Sequence, residues 1–181
     1  MLMDIATRPW TLAERDRLPD DGNRYEVVYG ELFVTPMPAP RHQEIVKRMF
    51  RILDAFVEAH HIGSAYESGT DVIFDEHNGV VPDVAVYSFG PDNLPEHWKD
   101  APKPMLVVEV CSDATWRRDV GPKRRLYVER EVPEYWIVDG DDCEVRVVRP
   151  GHDDVVVRDV LRWQPPNADA ALEIPLREVF R

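Results

Sequence analysis

Cysteine is scarce in this chain of 181 residues: Cys111 and Cys143 are the only two, with no metal-type spacing between them. That argues against a disulfide scaffold and against a structural zinc site. Long apolar runs are missing too, and no stretch approaches the roughly 20 residues that a membrane-spanning helix needs. The first stretch, through Pro19, carries Arg8, Arg15 and Arg17 but no apolar core of signal-peptide length. No export signal is therefore expected, and the chain reads as cytoplasmic. Positive charge is in deficit, with 22 Lys and Arg against 34 Asp and Glu and a net charge of −12. A general nucleic-acid coat protein, which meets phosphates with net positive charge, is disfavoured. No Gly-rich phosphate loop occurs, which disfavours a nucleoside triphosphatase, and no helix-turn-helix or zinc-finger pattern offers base readout.

What is present suits one folded domain. Hydrophobic residues make up 44% and charged residues 31%, which excludes global disorder. Residues 1–23 read as an N-terminal extension with one short helix, because Thr11-Leu-Ala-Glu14 has the form of a capping box. Arg24 to Thr35 is rich in β-branched and aromatic residues and breaks at Tyr29-Gly30, as a hairpin does. From Arg41 to His60 the period changes: Ile45, Met49, Ile52, Leu53 and Phe56 recur at three-to-four spacing and predict a helix ended by Gly63. Ser64 to Asp75 and Val80 to Val86 are expected to be strands, with a turn at His77-Asn-Gly79 between them. Residues 88–104, with four prolines, predict a long loop. Met105 to Val110 has the character of a buried strand, 116–131 of a helix that tolerates Pro122 only in its first turn, and Glu134 to Asp139 of another strand. Strand, helix, strand within that span implies a parallel crossover. Glu144 to Arg149 and Asp154 to Arg162 are expected as antiparallel strands, and a short helix from Pro175. The fold class is α/β or α+β with a mixed sheet.

Several charged residues stand in apolar surroundings. Glu109 lies within Leu106-Val-Val-Glu-Val110, and Asp83 within Val80-Val-Pro-Asp-Val-Ala-Val86. A carboxylate in a strand covered on both faces needs a cation, a metal or strong donors. The ordinary alternatives are a strand-end Glu paired with an arginine and a turn Asp after proline. If the strands are neighbours, both acids project from one sheet end, a pairing suited to Mg²⁺ or Mn²⁺. Asp119, Lys123 and Tyr127 follow at intervals of four and share a helical face, so Lys123 can reach those acids; the alternative is a surface ion pair beside a core tyrosine. His42 falls on the buried side of the long helix in its first turn, as a site residue or a cap. Glu26 lies in the hairpin, as a further acid or a cross-strand partner. Charge is segregated as well: residues 115–130 hold six basic side chains against two acidic, and 41–51 hold four against one. Arg117, Arg118, Arg124, Arg41 and Lys47 are thereby candidates to line a phosphate-binding groove, or they are solvated helix faces.

In sequence order, Tyr25-Glu26-Val-Val-Tyr-Gly-Glu31-Leu, His42, Pro82-Asp83-Val, Val107-Val-Glu109-Val-Cys-Ser112, Asp119, Lys123, Tyr127 and Val132-Pro-Glu-Tyr-Trp-Ile-Val-Asp139 resemble the Uma-type restriction endonuclease family of bacterial proteins, grouped with the PD-(D/E)XK nucleases. The likeness runs from about residue 24 to residue 180. It implies one restriction-endonuclease-like domain over 24–181: a mixed β-sheet flanked by helices, with the site at the sheet's edge. It implies a metal-dependent endonuclease hydrolysing DNA phosphodiester bonds, with Asp83 and Glu109 as catalytic acids holding Mg²⁺ or Mn²⁺. Cys111 stands where the superfamily motif has lysine; in this family the cation comes from the next helix, here Lys123. Glu26 and His42 carry over as further site residues. DNA is the implied partner, bound weakly and in a salt-dependent way, and a homodimer suits two-strand cleavage. The alternative is a catalytically degenerate nuclease fold that binds nucleic acid or protein.

Overall fold

The computed structural model describes residues 8–166 and 168–181. The expectations for residues 1–7 lie outside that span. The capping box forms: the Thr11 hydroxyl accepts from the Glu14 amide, the Glu14 carboxylate accepts from the Thr11 amide, and one helical turn follows, α1 (Leu12–Arg15). Arg15 is buried and holds Asp71 through both terminal nitrogens, at 2.8 and 3.0 Å. The arm before α1 is sewn to two turns, Trp10 donating to the Gly30 carbonyl and Leu12 to that of Glu76.

The hairpin forms as its sequence suggests, from β1 (Arg24–Val28) and β2 (Glu31–Thr35). Tyr29 and Gly30 both take positive φ, 52° and 74°, the backbone a two-residue turn requires. In α2 (Pro40–Ala59) Pro40 occupies the first turn, and Ile45, Val46, Met49, Leu53 and Val57 form the buried stripe. The helix stops earlier than Gly63 implies. His61 takes the left-handed conformation (φ 53°) and Ile62 donates back to the Val57 carbonyl.

Three stretches that read as single strands are divided. Ser64 to Asp75 becomes β3 (Ser64–Glu67) and β4 (Val72–Asp75), separated where Ser68 and Gly69 take positive φ. Val80 to Val86 divides at Val81-Pro82-Asp83 into β5 (Asn78–Val80) and β6 (Val84–Tyr87), so Asn78 and Gly79 belong to a strand rather than to the turn. The proposed strand over 154–162 is likewise two, β10 (Val155–Val157) and β11 (Val160–Trp163). The remaining strands are β7 (Leu106–Cys111), β8 (Glu134–Asp139), β9 (Glu144–Val148) and β12 (Leu172–Pro175), which leads into α5 (Leu176–Phe180). The 88–104 loop carries two single-turn 3₁₀ helices, Pro91–Asn93 and Trp98–Asp100.

A six-stranded sheet, order β10-β9-β8-β7-β6-β3, forms the centre, and its only parallel pair among the described residues is β7 with β8. A four-stranded antiparallel sheet, β2-β1-β5-β4, covers part of one face. The fold is thus α+β with a mixed sheet. Strand alternation divides the central sheet's side chains between two cores. Val84, Val86, Leu106, Val108, Trp136 and Val138 face α2, while Ala85, Tyr87, Val107, Tyr135 and Ile137 face the small sheet and the crossover helix. That helix is not regular. α3 (Trp116–Arg118) runs into a π-helical turn (Asp119–Lys123) and then α4 (Arg124–Glu129). Pro122, expected only in a first turn, sits inside this wider turn, where the Arg124 amide reaches the Asp119 carbonyl five residues back.

Candidate active site

β6 and β7 run antiparallel with Val84 opposite Val108. One residue further along, Asp83 therefore stands across from Glu109, at the end of β6 and on the face shared with Ala85 and Val107. Both acids are buried, each 2% exposed. The break in the strand at Pro82 has a partner here: the Asp83 Oδ2 accepts the Val110 amide at 2.8 Å, so side chain replaces main chain in the ladder.

Two other elements complete the cluster. In β1, alternation puts Arg24, Glu26 and Val28 on one side, toward the central sheet. From the crossover helix, Lys123 and Tyr127 descend on the same acids. The Lys123 Nζ lies 2.8 Å from Glu109 Oε1, 2.8 Å from Glu26 Oε1 and 3.9 Å from Asp119 Oδ1. The Tyr127 hydroxyl donates to Glu109 Oε1 at 3.1 Å, and the Val81 amide to Glu26 Oε1 at 2.8 Å. Arg24 donates to Asp83 Oδ1 at 2.8 Å, and His42 Nε2 lies 3.2 Å from Oδ2. Asp83, Glu109, Lys123, Glu26 and His42 are all brought together.

Four carboxylates (Asp83, Glu109, Glu26, Asp119) surround two permanent cations, Lys123 and Arg24. With all of them ionised, and His42 aside, two negative charges are in excess. Burial pushes the Glu109 carboxyl up to about 8; Lys123 opposes the rise, and Glu26, Asp119 and Asp83 add to it. Burial also carries Asp119 up to about 6, against the pull of Lys123. Asp83 goes the other way. Burial favours its neutral form, but the His42 hydrogen bond and the Arg24 guanidinium outweigh it and hold the group at about 2. Burial works against the charged Lys123 as well, yet Glu109, Glu26 and Asp119 hold its ammonium above the usual lysine range. The neighbouring acids Asp83 and Glu109 are thus pushed in opposite directions by their environments.

A cavity of about 420 Å³ opens onto this cluster, lined by Arg24, His42, Asp83, Ser112, Thr115 and the proline-rich turn at 36–38. His42 Nδ1 and Arg24 Nε beside it are buried without a hydrogen-bond partner among the described residues.

A family model described as "Uma2: Putative restriction endonuclease" matches residues 12–178. The chain belongs to the Uma2 family. Among solved structures, it is similar to a crystal structure titled a "putative nuclease belonging to DUF820" from Anabaena variabilis, at TM-score 0.78 and 23% identity, over 95% of this chain and 98% of that one. At that identity the likeness is one of fold. No curated protein matches.

In this Uma2-family chain, the residues bear on a divalent cation as follows. Among the described residues no three side chains of His, Cys, Asp or Glu are grouped to hold a metal ion. Mg²⁺, however, keeps several waters and takes only one or two protein carboxylates. Both side-chain hydrogen bonds to Glu109 fall on Oε1, leaving Oε2 without one among the described residues. With every carboxylate ionised, the two negative charges in excess would match one divalent ion. On charge and donor type the residues fit.

The basic candidates are scattered. Arg124 is taken up by Asp154, Arg41 by Asp141 and Lys47 by Glu44. Arg118 lies 5.0 Å over the Phe33 ring and donates to the Val34 carbonyl, and Arg117 is exposed. Arg41 borders a cavity next to His42. Sequence reasoning missed Arg24 as a site residue. The signal was available: it stands two residues before Glu26 on the same strand face. Cys111 takes no part, since its thiol donates to the Val138 carbonyl at 3.2 Å and burial raises its pKa far above the usual range.

Proposed function

We propose that this chain is a metal-dependent endonuclease that hydrolyses phosphodiester bonds of DNA in the cytoplasm. The observation that carries the reading is the buried cluster in which Glu26, Glu109 and Asp119 surround Lys123 beside Asp83, with a cavity that reaches Asp83. Asp83 and Glu109 are the residues that would hold Mg²⁺ or Mn²⁺, which when bound lowers the pKa of a water and polarises a phosphoryl oxygen. Lys123 supplies a fixed positive charge in a dry site, where it stabilises negative charge on the transferring phosphoryl group. Glu26 and Tyr127 hold Lys123 and Glu109 in place. Arg24 and His42 line the cavity beside Asp83, and they meet the phosphate backbone of the substrate there. With so few unpaired basic side chains near the cavity, binding is weak and salt-dependent, with a slope set by the few phosphates that are contacted. Cutting both strands calls for two copies, so the working form is a homodimer.

Asp83→Asn tests the reading. Plasmid cleavage in Mg²⁺ or Mn²⁺ should fall by at least about a hundredfold, while unfolding stays cooperative. Wild-type cleavage by the folded variant overturns the assignment. A second reading, a degenerate nuclease fold that binds without cutting, is favoured by one observation: Arg24, His42 and the Val110 amide already claim both oxygens of Asp83. It predicts DNA binding by the wild type with no metal-dependent cleavage.

A further inference from the structure

The opposite end of β6 carries a different kind of site. Tyr87 closes the strand on the face that Asp83 opens, four residues away, and the 88–104 loop folds over it. A cavity of about 700 Å³ lies under this loop, walled by Tyr66, Phe89 and Trp98. A smaller one of about 240 Å³ adjoins it; Trp98 and Asp71 line both, and Tyr87 lines the smaller. The rings brace one another. Tyr66 meets Trp98 edge-on at 5.1 Å, and Tyr87 stacks on Phe89 at 4.9 Å, so their orientations are set without a ligand. The Tyr87 residue is 1% exposed, and its hydroxyl has no hydrogen-bond partner among the described residues. An unpaired buried hydroxyl is costly. This one borders the smaller cavity, which shares Trp98 and Asp71 with the larger, and the larger is within the usual size range of ligand pockets.

Charge narrows the occupant. An aromatic box with a free carboxylate would suit a cation. Here the Asp71 carboxylate already holds Arg15 by both oxygens, and the exposed Glu96 is offset by Lys99 on the same rim. The larger cavity offers ring faces and the smaller offers one buried hydroxyl, with Lys103 and Arg130 of the smaller paired to Glu131 and Asp75. We propose that the two adjoining cavities together bind a nucleobase, stacked on Trp98 in the larger with its polar edge toward the Tyr87 hydroxyl in the smaller. Stacking on an aromatic ring plus one edge hydrogen bond is how extruded or unpaired bases are held. The base can come from a free nucleoside or from an unpaired nucleotide of a strand. The site goes beyond the cleavage reading and does not depend on it.

Calorimetric titration of the full chain with adenosine, guanosine, cytidine and thymidine tests it, alongside a short single strand and the same strand with one abasic position. Saturable one-to-one binding of at least one nucleoside is expected, or binding of the strand that the abasic position weakens; the first outcome assigns the free ligand, the second the strand. Tyr87→Phe, which removes only the unpaired hydroxyl, should weaken that binding about fivefold. Trp98→Ala should weaken it more than tenfold. The proposal is overturned if no nucleoside and no strand binds saturably, or if binding survives both substitutions unchanged. Asp83→Asn should leave this binding intact, so the two readings fail separately.

Discussion

On one face of the central sheet, Val84, Val86, Leu106, Val108 and Val110 meet Met49, Leu53 and Val57 of α2 in an apolar layer. On the other face of the same two strands, one residue out of step, Asp83 and Glu109 meet Glu26, Lys123 and Arg24. Burial is nearly complete on both. On the apolar side it stabilises in proportion to the area removed from water. On the ionic side the same removal of water raises carboxyl pKa values and makes every charge depend on its neighbours. The apolar face is sensitive to volume, and the ionic face to charge and pH.

The comparison is tested most severely at Lys123. Lys123→Met leaves Glu26 and Glu109 without their ammonium and should cost about 3–5 kcal/mol at pH 8 in urea unfolding. The loss should shrink toward pH 5, where protons replace the missing cation. A loss that is small and flat with pH would mean that the two faces do not differ. Leu53→Ala sharpens the contrast from the other side. It should cost about 2–5 kcal/mol, by the same amount at pH 6 and pH 8. The metal-free wild type has its own trend. Glu109 and Asp119 have folded pKa values, about 8 and about 6, above their unfolded ones. Their contribution is complete below the unfolded values and is lost as pH rises through the folded ones. Asp83, held at about 2, contributes above its unfolded value and is lost only as pH falls through that region. Stability measured in chelator should therefore fall between pH 5 and pH 8. The smallest effect is expected from Tyr127→Phe, which removes one hydrogen bond to Glu109 and should cost about 1 kcal/mol by thermal unfolding. A neutral result would detach α4 from the ionic network.

Much of this contrast was legible in the residues. Glu109 and Asp83 interrupt apolar runs, and a period-two reading already places each on a definite face. Tyr127 and Lys123 share a helical face by spacing. Their convergence depends on β6 and β7 being neighbours, which a local pattern does not contain. Arg24 escaped notice because it opens its strand beside a polar loop, where a charged residue is unremarkable. The divided strands were hidden for a related reason: Val81 and Ser68 suit β structure locally, and only pairing across the sheets shows that Pro82-Asp83 and Ser68-Gly69 are exits. The π-helical turn was out of reach of a 3.6-residue period, with Pro122 as the one hint.

That turn makes chain length part of the site. An additional residue in one turn is a shift of phase: everything after it lies about 100° further round than an unbroken α-helix would place it. Removing a single residue between Asp119 and Lys123 would keep the helix continuous and preserve every named side chain. It would nonetheless swing Lys123 and Tyr127 off the axis along which they reach Glu109. In this chain, a deletion of one position in that stretch should therefore act on the ionic cluster as the loss of Lys123 would.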